Sequence, residues 1–186
     1  EELLEEFENY RNSDFGMIWY GGAEVGLGGQ HLPKIDDWVG QGYRQHWMAV
    51  RTLQQKGISI NRTAVEACHS MGNKIHMSMR PSGWAHPVPF EDYDSEFYLK
   101  HPEWRCYDKD GTPVLRMSFA VPEVRRCVVE LFREAVESGA DGVNVLFNRG
   151  CSVILWEEPF CRLFREQYGE DARKVPDGDP RLCELR

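Results

Sequence analysis

The amino-acid sequence predicts an α/β chain in which helices cover a parallel sheet. Short apolar runs, typical of buried strands, alternate along the chain with longer segments whose apolar residues share one helical face. The resulting order of strand, helix, strand, helix, strand, helix is the order that favours a parallel sheet. Only about three strands are visible, so the chain forms either an open sheet or part of something larger.

The N-terminal half begins with a predicted strand over residues 15–22, a short apolar run that two glycines close. The Gly-rich segment 23–42 has no helical period and predicts a long loop. Such loops are more often functional than idle in compact domains. Residues 43–57 and 60–72 each predict a helix that ends at a glycine, and Asn61 is the predicted N-cap of the second one.

The middle of the chain starts with a second predicted strand, residues 75–80, in which apolar and polar side chains alternate until Pro81 stops the run. The following segment, 86–120, is rich in proline and aromatic residues. It predicts mostly loop, with a turn at residues 108–111.

The C-terminal half holds the clearest helix, residues 121–139, which has Pro122 in its first turn and a continuous apolar stripe. A third strand, 143–147, and another helix, 159–169, follow it. Polar and aromatic residues follow the C-terminal ends of the second and third strands. Because ligands bind at that end of parallel α/β sheets, the sequence predicts the functional site there.

Composition and charge exclude several classes of function. The net charge is -8 and the basic residues are scattered, whereas a nucleic-acid protein needs a basic face. No apolar run approaches the roughly 20 residues that cross a bilayer. We therefore expect neither a nucleic-acid partner nor a membrane partner. The sequence shows no signal peptide and begins with glutamate rather than methionine, so a cytoplasmic and an exported location both stay open.

The cysteines and histidines lack the spacing of a metal site. The six cysteines include no C-x-x-C pair, and the six histidines include no H-E-x-x-H motif. The glycine patterns of dinucleotide-binding and phosphate-binding loops are also absent from the sequence. We therefore expect no metal and no cofactor.

Four segments in fixed order resemble the family-10-like glycosyl hydrolases, bacterial relatives of TIM-barrel glycosidases. They are AVEACHSMGNKIHMSMRPSG, HPEWRCYDKDG, SFAVPEVRRCVVELFREAVESGADGVNVLFNRG and WEEPFCRLFREQYGEDARKVPDGDPRL. The resemblance covers residues 58–186 and implies a TIM-barrel-like (β/α) repeat architecture. Since such barrels have about 250 residues, residues 1–186 would form a single domain that is a partial barrel.

The chain also departs from the pattern of these relatives. Many of them carry Glu-x-Asp in the strand after the Asp-Gly pair, where this sequence has Asn144 and Leu146. Leu146 cannot transfer a proton or attack a sugar carbon, so the acid at that position is missing. Phe147 and Arg149 do match, and the aromatic-Glu-Pro segment of some relatives resembles WEEP, with Glu157 the better aligned acid.

The predicted catalytic residues are Glu157, Glu158 and Arg149. Glycoside hydrolysis needs two carboxyl groups, and two adjacent side chains diverge too far to serve one bond. The alternative is that both glutamates are helix-start acids ahead of Pro159, attracted by the helix dipole. Arg149 either binds a sugar hydroxyl or forms a salt bridge with Glu157 or Asp141. Asp141 itself lies at a strand start, where a turn role is expected.

The predicted substrate-binding residues follow the ends of the strands. Arg80 and Trp84 can hold and stack a sugar. His76 either faces the centre of the fold or is a satisfied core histidine. Glu24 is a candidate for the second carboxylate, with a solvent-exposed loop acid as the alternative. The full binding set is Trp19, His76, Arg80, Trp84, His86 and Asn148.

The sequence therefore predicts a glycoside hydrolase that acts on a carbohydrate at the C-terminal ends of its strands. The alternative is a non-catalytic carbohydrate-binding or scaffold protein on a degenerate hydrolase barrel, which the loss of the two acids favours. A non-glycosidic hydrolase or lyase is a third class, because fold does not fix function. Because a partial barrel exposes strand edges, the expected partner besides carbohydrate is the remainder of a longer chain or a second copy.

Overall fold

The computed structural model of the chain describes residues 2–20, 44–81, 84–89, 91, 94–147 and 152–186. Its helices are α1 (Glu2–Glu8), α2 (Arg44–Gln55), α3 (Ile60–Ser70), α4 (Glu96–Lys100), α5 (Pro122–Glu137), α6 (Glu158–Tyr168) and α7 (Pro180–Leu185). Its strands are β1 (Met17–Tyr20), β2 (Lys74–Met79), β3 (Arg105–Tyr107), β4 (Pro113–Met117) and β5 (Gly142–Val145). The predicted loop 23–42 lies outside the described residues.

The described strands form two separate sheets. One is a parallel sheet of three strands in the order β1-β2-β5, and the other is the antiparallel pair β3-β4. In the parallel sheet Ile18 lies beside Ile75, and Met77 lies beside Val143. The prediction that the three apolar runs are parallel strands is therefore confirmed.

The predicted TIM-barrel-like repeat, with the chain as a partial barrel, is wrong. In a barrel every parallel strand is followed by a helix and then by the next parallel strand. Between β2 and β5 the chain instead forms the short helix α4, the hairpin β3-β4 and the long helix α5. The described residues thus form a small mixed α/β structure, because segment 86–120 supplies an antiparallel pair instead of further strand-helix units.

The parallel sheet buries one face against α1 and α3. Side chains on a strand alternate between faces, and Ile18, Ile75 and Met77 all lie on the same buried side. They pack with Phe7 of α1 and Val65 of α3 in one apolar cluster. This alternation leaves the polar residues of β2 and β5 together on the opposite face, beside Trp19 of β1.

A second apolar cluster joins the hairpin to α5. Trp84 and Met117 are buried at its centre and pack with Phe97 of α4 and with Val124 and Leu131 of α5. The amphipathic pattern that predicted α5 therefore serves to hold this helix against β2 and β5 of the parallel sheet as well as against the hairpin.

A third cluster fixes the C-terminal region. Phe160 and Phe164 of α6 are buried against Leu182 of α7. The segment that leads into α6 is tied to the hairpin, because the N–H of Trp156 donates to the Tyr107 carbonyl at 3.0 Å. The start of α6 is thereby placed beside the end of β3.

The start of α3 differs from the prediction. The Ser59 side chain, and not that of Asn61, caps the helix by accepting a hydrogen bond from the Arg62 N–H at 3.3 Å. Asn61 lies one residue inside the helix and is buried. The predicted helix end is confirmed, since Gly72 has a φ of 80°, a left-handed conformation that favours glycine.

The segment 86–120 was predicted as mostly loop and contains more structure than that. The turn at 108–111 is confirmed, with the Gly111 N–H donating to the Asp108 carbonyl at 2.9 Å. The flanking strands were missed because β3 has only three residues and β4 starts at Pro113, within a segment whose proline and aromatic content predicts loop. In the described part of the chain, no helix combines the length and apolar character needed to cross a membrane.

Asp141 ties the start of β5 to β2. Its Oδ2 accepts hydrogen bonds from the Ile75 N–H and from His69 Nε2, both at 2.9 Å. These bonds, the Ile75 N–H first, lower the pKa of Asp141 below its ordinary value. A carboxyl with a lowered pKa stabilises the fold above its unfolded-state pKa and loses this contribution as the pH falls through the folded-state pKa.

We therefore expect Asp141→Asn to lower the melting temperature at pH 7 and to have a shrinking effect below about pH 4, near the ordinary aspartate pKa. Thermal unfolding followed by circular dichroism between pH 7 and pH 3 measures this. Asp14→Asn, at an exposed acid ahead of β1, is the matched control. A melting-temperature difference that stays constant over this range would contradict the role of the carboxylate charge.

Candidate functional site

A surface pocket of about 420 Å³ lies between the β3-β4 turn and the start of α6. Aromatic, acidic and basic side chains line it together, a combination that is typical of ligand sites. The lining residues are Tyr107, Lys109, Asp110, Gly111, Trp156, Glu157, Glu158 and Arg173. Both glutamates of the WEEP segment therefore belong to this pocket.

Glu157 is the buried carboxylate of the pocket. It immediately precedes α6 and is only 3% exposed. Its Oε1 accepts a hydrogen bond from the Ser118 hydroxyl, next to the end of β4. The Leu155 N–H donates to Oε2 at 3.0 Å and to Oε1 at 3.2 Å. These contacts from two chain segments fix the orientation of the carboxylate.

Glu158 is the first residue of α6, and its side chain is exposed. Its carboxylate lies 3.6 Å from Arg173 and 3.9 Å from Arg165. An acid in the first turn also interacts favourably with the helix dipole. The two adjacent glutamates thus diverge as expected, and the helix-start interpretation describes the position of Glu158.

Trp156 supplies the aromatic surface. The Arg186 guanidinium carbon lies 4.5 Å from the centre of its ring, and Lys109 Nζ lies 5.9 Å from it. Lys109 is held in place by hydrogen bonds of 2.7 Å to the Val175 carbonyl and to Asp177. The buried indole Nε1 of Trp156 has no hydrogen-bond partner within the described part of the chain.

Asp110 is a second carboxylate on the same pocket, at the turn between β3 and β4. Its Oδ1 accepts a hydrogen bond from the Thr112 N–H at 2.8 Å, which is the main cause of its lowered pKa. Asp110 is therefore ionised at neutral pH. The sequence indicated residues 108–111 only as a turn and Asp110 was missed, since its place on the same pocket as Glu157 depends on the packing of the hairpin against the segment before α6.

The polar face of the parallel sheet brings other predicted residues together. Trp19 on β1 is 66% exposed and lies beside His76 on β2. His76 in turn lies beside Gly142, where a Cβ atom would be only 2.9 Å from the imidazole Nε2. The glycine therefore makes room for the imidazole. Next to it, Asn144 Nδ2 donates to Ser78 Oγ at 3.3 Å.

The three residues predicted to hold a sugar after β2 have different environments. Arg80 is exposed. Trp84 is completely buried, and its Nε1 donates to the Pro81 carbonyl at 2.9 Å, so its ring has no open face for a sugar. His86 is half-buried; its N–H donates to Asp94 at 2.6 Å and its Nδ1 lies 3.6 Å from the same carboxylate.

Several other predicted positions carry no further support for a site. Arg149, Asn148 and Glu24 lie outside the described residues. Leu146 continues the pairing of β5, with its N–H donating to the Met79 carbonyl at 2.9 Å. Across the described ranges, no group of three or more His, Cys, Asp or Glu side chains is arranged to hold a metal ion.

No protein-family model matches this chain, and no curated protein matches it. Its function is therefore inferred from the side chains and their geometry.

Proposed function

We propose that the chain is a glycoside hydrolase, that the pocket between the hairpin and α6 binds the sugar, and that Glu157 is one of the two reacting carboxyl groups. The observation that carries the proposal is the burial of this carboxylate in the wall of a pocket with an aromatic side chain. The four motifs that resemble the family-10-like glycosyl hydrolases support the same reaction.

A buried carboxylate is costly and therefore informative. Removing an ionised group from water is unfavourable unless hydrogen bonds compensate for the lost hydration. Ionisable groups that are nevertheless buried beside a cleft are candidates for catalysis. Glu157 fits this description, because its carboxylate is oriented by Ser118 and Leu155 and also reaches the pocket.

The pocket also offers a second carboxylate and an aromatic ring. Asp110, which is ionised, lies on the same lining as Glu157 and is the candidate for the second carboxylate of the site. Trp156 supplies a flat apolar surface of the kind on which sugar rings stack. Asp110 takes the place of the acid that the sequence lacks at Leu146.

The second candidate is a carbohydrate-binding protein without turnover. One observation favours it: all three carboxylates of the pocket already accept hydrogen bonds or ion pairs. Glu157 accepts from Ser118, Asp110 accepts from Thr112, and Glu158 lies between two arginines. A binding protein needs such fixed acceptors for sugar hydroxyls but no acid.

Turnover separates the two candidates. The purified chain is incubated with a panel of nitrophenyl glycosides of different sugars and both anomers, and nitrophenolate release is followed by absorbance. The expected result is saturable release from at least one member. Binding of sugars in calorimetry without any release would establish the second candidate instead.

We expect Asp110→Asn to lower kcat/KM by about 10²-fold on any glycoside that is turned over. The amide oxygen still accepts the Thr112 N–H, so the turn is kept and only the charge is lost. Asp108→Asn is the matched control, since Asp108 belongs to the same turn but does not line the pocket. Equal activity of the two variants would remove Asp110 from the reaction.

A further inference from the structure

The hydrogen bonds around Glu157 all run toward its carboxylate. The Ala120 N–H donates to Ser118 Oγ at 3.0 Å, and the Ser118 hydroxyl donates to Glu157 Oε1. The Leu155 N–H donates to both carboxylate oxygens. Ser118 is completely buried, so its hydroxyl takes its acceptor from the protein. Both oxygens of Glu157 are therefore acceptors in this network.

The neighbouring thiol does not change this direction. Cys106 lies beside Ser118 and Glu157, and burial, with a smaller contribution from the charge of Glu157, raises the pKa of Cys106 to about 12. The thiol keeps its proton and donates to the Val153 carbonyl at 3.5 Å. Since a carboxylate oxygen is a far stronger acceptor than a thiol sulfur, the Ser118 hydroxyl is directed to Glu157.

We propose that Glu157 is the accepting carboxylate of the hydrolysis, the base or nucleophile and not the acid, and that Ser118 is the positioning residue that keeps it in this role. The proposal rests on the glycoside hydrolase function proposed above. Its physical basis is geometric: the Ser118 hydroxyl and the Leu155 N–H both donate to the Glu157 carboxylate, and an accepting carboxylate is the group that takes a proton or attacks carbon.

An accepting carboxylate can act in glycoside hydrolysis in one of two ways. It either takes a proton from the attacking water or forms a bond to the anomeric carbon that water later breaks. In both cases the glycosidic C–O bond breaks, and the leaving oxygen keeps the electron pair. The net reaction consumes one water, whose hydroxyl ends on the anomeric carbon and whose proton ends on the leaving oxygen.

The first test compares leaving groups on the same sugar. A dinitrophenolate departs without a proton, whereas an alkoxide needs one, so only the second benefits from an acid. We expect Glu157→Gln to lower kcat/KM by about 10²–10⁴-fold for the dinitrophenyl glycoside and equally for the alkyl glycoside. A loss confined to the alkyl glycoside would show that Glu157 is the acid and would overturn the proposal.

The second test concerns Ser118. We expect Ser118→Ala to lower kcat by about 10-fold or more with little change in KM, and Ser118→Thr, which keeps the hydroxyl, to restore most of kcat. Folding of each variant is checked by its melting temperature. An unchanged kcat in folded Ser118→Ala would overturn the positioning role. Absence of any turnover by the unaltered chain would overturn the proposed function, and with it both role assignments.

Discussion

Glu157→Gln is expected to lower kcat/KM for glycoside hydrolysis by about 10²–10⁴-fold. Glutamine has nearly the shape of glutamate, and its carbonyl oxygen can still accept from the Ser118 hydroxyl. It cannot take a proton from water or form a stable bond to the anomeric carbon. The measurement is steady-state kinetics on the best substrate of the nitrophenyl panel.

The control for Glu157→Gln is Glu166→Gln, which makes the same change at an exposed position of α6. It should leave kcat/KM unchanged. Because the Leu155 N–H would face the new amide group in Glu157→Gln, the melting temperature of that variant is measured as well. A folded Glu157→Gln variant with full activity would contradict the assignment of Glu157.

The adjacent position provides a second comparison. Glu158 also lines the pocket, but its side chain is exposed and lies close to Arg165 and Arg173. We therefore expect Glu158→Gln to lower kcat/KM much less than Glu157→Gln does. The sequence could not rank the two, since both glutamates precede Pro159 and only the fold shows which one points inward.

The part of the fold that was predictable from sequence is the part with strong periodicity. The long apolar stripe predicts α5, and the apolar runs predict β1, β2 and β5, because each of these patterns can be recognised in the sequence. The hairpin β3-β4 carries no such pattern. The barrel repeat, which the resemblance to the glycosyl hydrolases implied, is wrong, because this hairpin stands where a barrel would have a further strand-helix unit.

The candidate site was predictable only in part, for a related reason. Glu157 was found because it stands in a recognisable segment next to a helix start. Asp110 was not, because two residues 47 positions apart come to line one pocket through hairpin packing that local patterns do not encode. Ser118 was missed in the same way, since a serine after a loop-like segment has no signature until its partner is known.

Trp84 is the clearest example of a side chain whose environment could not be predicted from sequence. Its position after a strand end, close to Arg80, predicted a ring that stacks on a sugar. In the structure the ring is completely buried and stacks on Phe97, with ring centres 4.8 Å apart. A tryptophan at this point in the sequence is compatible with both environments, and the difference is set by α4, an element that the sequence did not reveal.

Trp84→Ala is accordingly expected to destabilise the protein by about 3–5 kcal/mol, the range for truncating a large buried aromatic side chain. The substitution removes the contacts with Phe97 and leaves the Pro81 carbonyl without the indole N–H. Trp84→Phe should cost less, because it keeps an aromatic ring in the cluster and loses only the N–H and part of the volume. Urea unfolding of the unaltered chain, Trp84→Ala and Trp84→Phe gives these free energies.

Trp19→Ala is the contrasting variant, because Trp19 is 66% exposed and its truncation should change the free energy of unfolding by no more than about 0.5 kcal/mol. If Trp84→Ala instead left unfolding unchanged and raised KM for a sugar, the ring would lie in a binding site as the sequence alone predicted. The free energy of unfolding lost in Trp84→Ala, compared with that lost in Trp19→Ala, therefore decides between a core role and a binding role for Trp84. This comparison does not depend on any catalytic assay.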